Sequence, residues 1–163
     1  MPEKETLERA RRDKRQGKAA STQAGEFVHE EIEHVREGKH GARSTKQAIA
    51  IGLSKARRAG VKLPAPKPGQ ASASTRQSAK SALRRRGKKT SAKRSRAMRS
   101  ALKREGHSAA SHEALARQAR TAARKRTAKS RSAAARKASR TKGPRVRSAA
   151  AQKAARTRAR KSA

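Results

Sequence analysis

The sequence predicts a mainly α chain in two parts: a small N-terminal helical hairpin, then a long, largely disordered Ala/Arg/Lys-rich tail with transient helices. Three observations carry this expectation. Large apolar residues recur at three- and four-residue spacing only between Met1 and Leu63, which marks amphipathic helices there. Leu, Ile, Val and Phe together number 14 of 163 residues, well under the roughly 20% below which a highly charged chain stays disordered. The balance of 47 Lys and Arg against 11 Asp and Glu leaves a net charge of +36, so the tail repels itself while it has little to bury. The organisation expected is a head at 1–63, a Pro/Ser/Ala linker at 64–73 and a basic low-complexity tail at 74–163.

In chain order, residues 3–16 read as a short charged helix ending near Gly17. Leu7 is its one large apolar residue, so it is marginal in isolation. A better helix spans 22–37 after Ser21 or Thr22, with Phe27 or Val28, Ile32 and Val35 on one stripe and Gly38 and Gly41 as stop signals. Ser44 with Gln47 fits a capping box. It opens a helix to about Ala59 whose stripe is Ile49, Leu53 and Ala56, with Gly52 allowing close approach. Gly60 followed by Val61 fits a left-handed stop. The segment from Leu63 to Gly69 holds Pro64, Pro66 and Pro68 and reads as extended.

Beyond the linker, Ser74 with Gln77 repeats the capping pattern. Ser81-Ala82-Leu83-Arg84-Arg85-Arg86-Gly87 is echoed further along the chain, from Ser100 to Gly106. Ala, Arg and Lys favour helix, so residues 109–141 read as a long helix opposed by charge repulsion. Gly143-Pro144 breaks the pattern, and 148–160 is one more basic helix.

The charge is segregated. Residues 1–37 hold nine acids and eight bases, whereas residues 38–163 hold 39 bases against only Glu105 and Glu113. A near-neutral head carrying a polycation points to a polyanionic partner, and nucleic acid is the abundant one. The net +37 of residues 38–163 matches the phosphates of roughly 18 base pairs of duplex. Arg accounts for 28 of the 47 bases and forks onto phosphate bidentately. The candidate phosphate-binding clusters are Arg57 and Arg58; Arg84, Arg85, Arg86, Lys88 and Lys89; Arg124, Lys125 and Arg126; and Arg156, Arg158, Arg160 and Lys161. Each is expected to act additively.

Other classes fall away. The chain has no Cys, which excludes disulfides, thiol nucleophiles and Cys-based zinc fingers. The scarcity of bulky residues argues against the rigid scaffold of an enzyme. Phe27 is the only aromatic, so stacking on single strands is not expected. No apolar run is long enough to span a bilayer, and no membrane contact is expected. His29 and His34 sit around Glu30 and Glu33 in a near miss of the zincin motif: five apart, they point about 140° from each other on a helix. No metal and no cofactor are expected. Ser95, Ser100, Ser130, Ser132 and Ser139 lie beside bases, where phosphorylation would remove local charge. The stripe of Phe27, Ile32 and Val35 either packs in the small core or meets a protein partner or a second copy of the chain.

The string from Ser21 through Gly60, with Glu31-Ile32-Glu33-His34-Val35-Arg36-Glu37-Gly38 and Ser44-Thr45-Lys46-Gln47 inside it, resembles small basic bacterial proteins labelled plasmid stabilisation or uncharacterised. The resemblance covers the region 1–65. It implies a bacterial source and a tie to DNA maintenance, and it supplies no catalytic residues. The tail is similar in composition to linker-histone tails and bacterial histone-like proteins. The expectation is therefore a non-enzymatic, nucleoid-associated cytoplasmic protein that binds DNA without sequence preference. An RNA- or ribosome-associated basic protein is the alternative that the residues leave open.

Overall fold

A computed structural model describes residues 2–88 and 91–162, the side chains of 141, 142, 161 and 162 excepted. Three helices form where the N-terminal patterning predicts them: α1 (Lys4–Arg15), α2 (Ala20–Arg36) and α3 (Thr45–Arg58). α1 places Glu5 in its first turn and Arg12, Lys14 and Arg15 in its last, matching the helix dipole at both ends. α2 starts at Ala20, earlier than the expected Ser21 or Thr22 cap, and its N-cap, Ala19, offers no side-chain hydrogen bond. The Gln23 side chain instead donates to the Lys18 carbonyl at 2.8 Å. α3 is capped as the sequence predicts: the Gln47 amide donates to Ser44 Oγ at 3.2 Å. In return, the Gln47 side chain accepts from the Arg43 amide at 2.9 Å. At the other end, Gly60 adopts φ +99°. The Val61 amide reaches back to Ala56 and the Gly60 amide to Arg57, closing a Schellman motif.

The hairpin of α2 and α3 forms two apolar clusters. Ala10, Ala24, Phe27, Ala56 and Val61 bury one, with Leu7, Leu53 and Leu63 packed against it. α1 thus uses Leu7 and Ala10 to dock on the hairpin, the tertiary support that a helix marginal in isolation needs. Ile32, Val35, Ala42, Ala48, Ala109 and Ala110 form the other, with Val28 and Leu115 against it. Phe27, Ile32 and Val35 all lie inside. The stripe offered as a partner or self-association surface is therefore interior to the fold.

The region after residue 73 corrects the main expectation. It is helical, not largely disordered: α4 (Ala73–Arg84), α5 (Ala92–Lys103), a short 3-10 turn (Ser108–Ala110), α6 (His112–Arg124) and α7 (Ala128–Ser162). Ala supplies propensity, and hydroxyl caps supply starts. The Thr75 amide donates to Ser72, the Ala114 amide to Ser111 and the Ser130 amide to Thr127, each at 3.2 Å. The capping Ser of α4 is thus Ser72 and not the expected Ser74. The expected long helix over 109–141 is split by the 3-10 turn and again before Thr127. Gly143 interrupts α7 with φ 53° and ψ 165°, as the Gly143-Pro144 pair predicts.

The chain divides into two compact units, Met1–Gln118 and Ala119–Ala163. The division falls far beyond the Pro-rich segment at 64–73. α4, α5 and the 3-10 turn belong to the first unit because they bury Ala79, Ala82, Leu102, Ala109 and Ala110. The loop after α2 is held by backbone pairing: the Gly41 amide donates to Leu102 O and the Ala42 amide to Gly106 O, both at 2.9 Å. The Thr45 hydroxyl donates to Ala109 O at 2.6 Å.

Gly52 sets the separation of α2 and α3. A Cβ there would lie 2.7 Å from Val28 Cα and 2.9 Å from Phe27 O, both backbone atoms that cannot step aside. Gly52→Ala gains about 1 kcal/mol of helix propensity but forces the helices apart. A net loss of about 1–3 kcal/mol is expected in chemical denaturation.

Candidate nucleic-acid interface

Nine of the 11 acids lie in residues 1–37, and eight of these nine are engaged in ion pairs inside the first unit. Arg9 Nε meets Glu26 at 2.8 Å and its guanidinium also reaches Glu5 at 3.6 Å. Lys18 meets Asp13 at 2.6 Å, Arg36 meets Glu33 at 2.8 Å and Lys39 meets Glu37 at 2.9 Å. Glu3 Oε1 holds both His34 Nε2 at 2.8 Å and Lys39 Nζ at 3.1 Å. Those two hydrogen bonds keep the Glu3 carboxyl below its ordinary range. Lys55 Nζ sits between Glu30 Oε1 at 3.1 Å and Glu31 Oε2 at 2.6 Å. Burial alone would raise Glu30, but the Glu3 amide and the Lys55 and Thr6 side chains outweigh it and hold the carboxyl low. Burial alone would lower Lys55, and Glu31 and Glu30 outweigh it and hold the ammonium high. The bases drawn into these pairs are Arg9, Lys18, Arg36, Lys39 and Lys55. None belongs to the clusters read from the sequence.

The structure separates the first of those clusters. Arg57 is only 5% exposed. Its Nε donates to Leu63 O at 3.2 Å and its NH2 to Pro64 O at 3.0 Å, and burial pushes its guanidinium down from the ordinary value. Arg57 therefore pins the Pro-rich segment to α3 and is not a phosphate ligand. Its neighbour Arg58 is exposed. The Gly87 amide donates to Arg58 O at 3.2 Å, and the Arg86 guanidinium lies 3.2–3.6 Å from where a Cβ on Gly60 would sit. The C-terminal ends of α3 and α4 therefore meet, bringing Arg58 to the run of Arg84, Arg85, Arg86 and Lys88, all exposed. Two clusters that the Pro-rich segment and α4 separate in sequence become one basic patch. Bases there also offset the negative ends of two helix dipoles. Lys89 lies outside the described residues.

In the second unit, Arg124, Lys125 and Arg126 are exposed where α6 ends. Arg156, Arg158 and Arg160 are exposed on the last arm of α7, to which Lys161 belongs with its side chain outside the described residues. On a helix, Arg156 and Arg160 share a side and Arg158 points elsewhere. The arm thus presents charge around its circumference. Sequence clustering misses Arg94, Arg96 and Arg99, which are exposed on α5, because they are spaced through a helix and not in a run. Of the serines, Ser139 donates its hydroxyl to Arg136 O at 3.0 Å, while Ser100, Ser130 and Ser132 are exposed on α5 and α7. His29 is exposed while His34 turns to Glu3, so the zincin-like pair is not brought together.

Residues 3–67 match the model of a family of unknown function (DUF6496). That span takes in α1, α2, α3 and the start of the Pro-rich segment. No curated protein and no solved structure matches the chain. Among the described residues, no helix is long and apolar enough to cross a membrane.

Two outcomes follow from this geometry. Arg57→Gln should cost about 2 kcal/mol in thermal unfolding, since the charge-assisted hydrogen bonds of a buried guanidinium to the Leu63 and Pro64 carbonyls are lost, while Arg58→Gln should leave stability nearly unchanged. Stability should also depend on pH through Glu30 and Lys55. A depressed carboxyl stabilises above its ordinary value of 4.5 and loses that contribution as pH falls below it. A raised ammonium stabilises below 10.5 and loses its contribution as pH rises past it. Denaturant midpoints should therefore fall below about pH 4.5 and above about pH 10.5, and Lys55→Met should flatten both limbs.

Proposed function

We propose that this protein binds duplex DNA without sequence preference by neutralising backbone phosphate, as a nucleoid-associated, histone-like protein. The observation that carries this reading is the second unit. Residues 119–163 hold 17 Lys and Arg and no acid. They sit on helices whose described side chains are almost all exposed. Eleven of the 35 residues of α7 are Ala, so helicity there comes from propensity and not from burial. Val146 is its one large apolar residue and is 58% exposed. A helix without an apolar side has no core to join, and its charge calls for a counter-surface. Seventeen charges match about eight or nine base pairs.

Lack of sequence preference follows from the side chains on offer. The chain has no Asn, one of the two side chains that read adenine bidentately, and its Arg residues are dispersed around helices. A role in plasmid or chromosome maintenance belongs to the same proposal.

The test is fluorescence anisotropy with unrelated duplexes of about 20 base pairs, the length that the net charge would neutralise, across a salt series, with duplex RNA alongside. Equal affinities for the DNA duplexes are expected, with log K falling linearly in log salt. Replacing Arg84, Arg85 and Arg86 together by Gln should reduce that slope by up to about 3. A preferred sequence, an unchanged slope or tighter binding to RNA would overturn the reading.

A further inference from the structure

Glu31, His34 and His40 converge between α2 and the loop that follows it. Each offers one ligating atom, and these atoms lie within 4.8 Å of one another. The Glu31 side chain is 1% exposed, and its Oε1 receives no hydrogen bond. Oε2 has the Lys55 ammonium as its ion-pair partner at 2.6 Å. Oε1 instead faces His40 Nε2 at 3.4 Å.

The tautomer of a neutral His40 follows from its other nitrogen. Nδ1 lies 3.1 Å from Gly41 O, and a carbonyl only accepts, so Nδ1 carries the hydrogen. In the neutral ring, Nε2 then presents a lone pair to a carboxylate oxygen. Two lone pairs facing each other in a buried place call for a cation between them. The separation suits one: ligands about 2.1 Å from a tetrahedral ion lie about 3.4 Å apart. His34 also has an outer partner. Its Nε2 donates to Glu3 Oε1 at 2.8 Å, leaving Nδ1 as the lone-pair nitrogen of the neutral ring. A carboxylate on one imidazole and a backbone carbonyl on the other are the outer partners that metal-bound His residues use.

We propose that Glu31, His34 and His40 form a divalent transition-metal site, suited to Zn2+, that ties the α2 C-terminal half to its following loop. Two imidazoles and one carboxylate are a familiar zinc donor set with a fourth position left for water. Local charge favours it despite the basic chain. Glu3, Glu30 and Glu31 outnumber Lys39 and Lys55 around the cluster.

The experiment uses the full chain, treated with EDTA and dialysed, then titrated with Zn2+ against a chromophoric chelator and with Co2+ by visible absorption. One Zn2+ per chain is expected, with a tetrahedral Co2+ spectrum and shifts confined to the His34 and His40 imidazole resonances. His40→Ala should weaken Zn2+ binding at least tenfold, and His29→Ala should leave it unchanged. Far-UV circular dichroism reports whether each variant is folded. The imidazole resonances of the unmodified chain give a reading that does not depend on the variants. Absence of stoichiometric binding would overturn the proposal. So would equal loss in the His29 variant, or resonance shifts at His107 and His112 in place of His34 and His40.

Discussion

At Gly52 the backbones of α2 and α3 come close enough that even a methyl group would strike Val28 Cα. This approach is what a chain with few large apolar residues needs. Among the described residues, nine of the 14 buried apolar ones are Ala, and an Ala core yields packing only when the helices themselves are near. The rest depends on it. One turn beyond Gly52, Lys55 reaches Glu30 and Glu31 on the facing helix. At the other end of α3, Ala48 lies in the cluster that receives Ala109 and Ala110.

The same helices sort charge by sign. Carboxylates turn inward or sideways onto bases of the first unit, and most cations away from those pairs stay at the surface, the buried Arg57 excepted. Burying Glu30 and Glu31 is costly; Lys55, the Glu3 amide and Thr6 offset it for Glu30, whereas Lys55 meets Glu31 at Oε2 and not at Oε1. That imbalance leaves a buried oxygen seeking a cation next to His40. Arg57 and Arg58 show how finely the sorting runs. Adjacent in sequence, one is spent on two backbone carbonyls and the other faces solvent.

What is legible in the sequence is local. Ser44 with Gln47, Gly60 with Val61, the break at Gly143 and the need for Gly at 52 all express short-range geometry in residue type. The order of the tail is not legible, because scarce Leu, Ile, Val and Phe predict disorder, whereas Ala79, Ala82, Ala109 and Ala110 do the burying there. The role of Arg57 is hidden as well, because a bond to a main-chain carbonyl leaves no trace in the partner's identity. The basic surface is legible as a count, and its clusters only in part, since Arg58 meets Arg86 through a contact between helix ends. His34 and His40 cannot be paired from sequence, because a glycine-bounded loop joins them and no helical spacing relates them.

The backbone pairing of residues 41 and 42 with residues 102 and 106 separates two ideas of a domain. The matched stretch, 3–67, contributes Val35, Ala42, Ala48 and the Thr45 hydroxyl to a surface that Ala109, Ala110 and Leu115 cover. A protein ending at the Pro-rich segment must close that face with something else: another stretch of its own chain, a second subunit or a different choice of side chains. The stretch that matches the family model is thus smaller than the piece of structure that completes its core. The start of the basic region doubles as the lid of the module it follows.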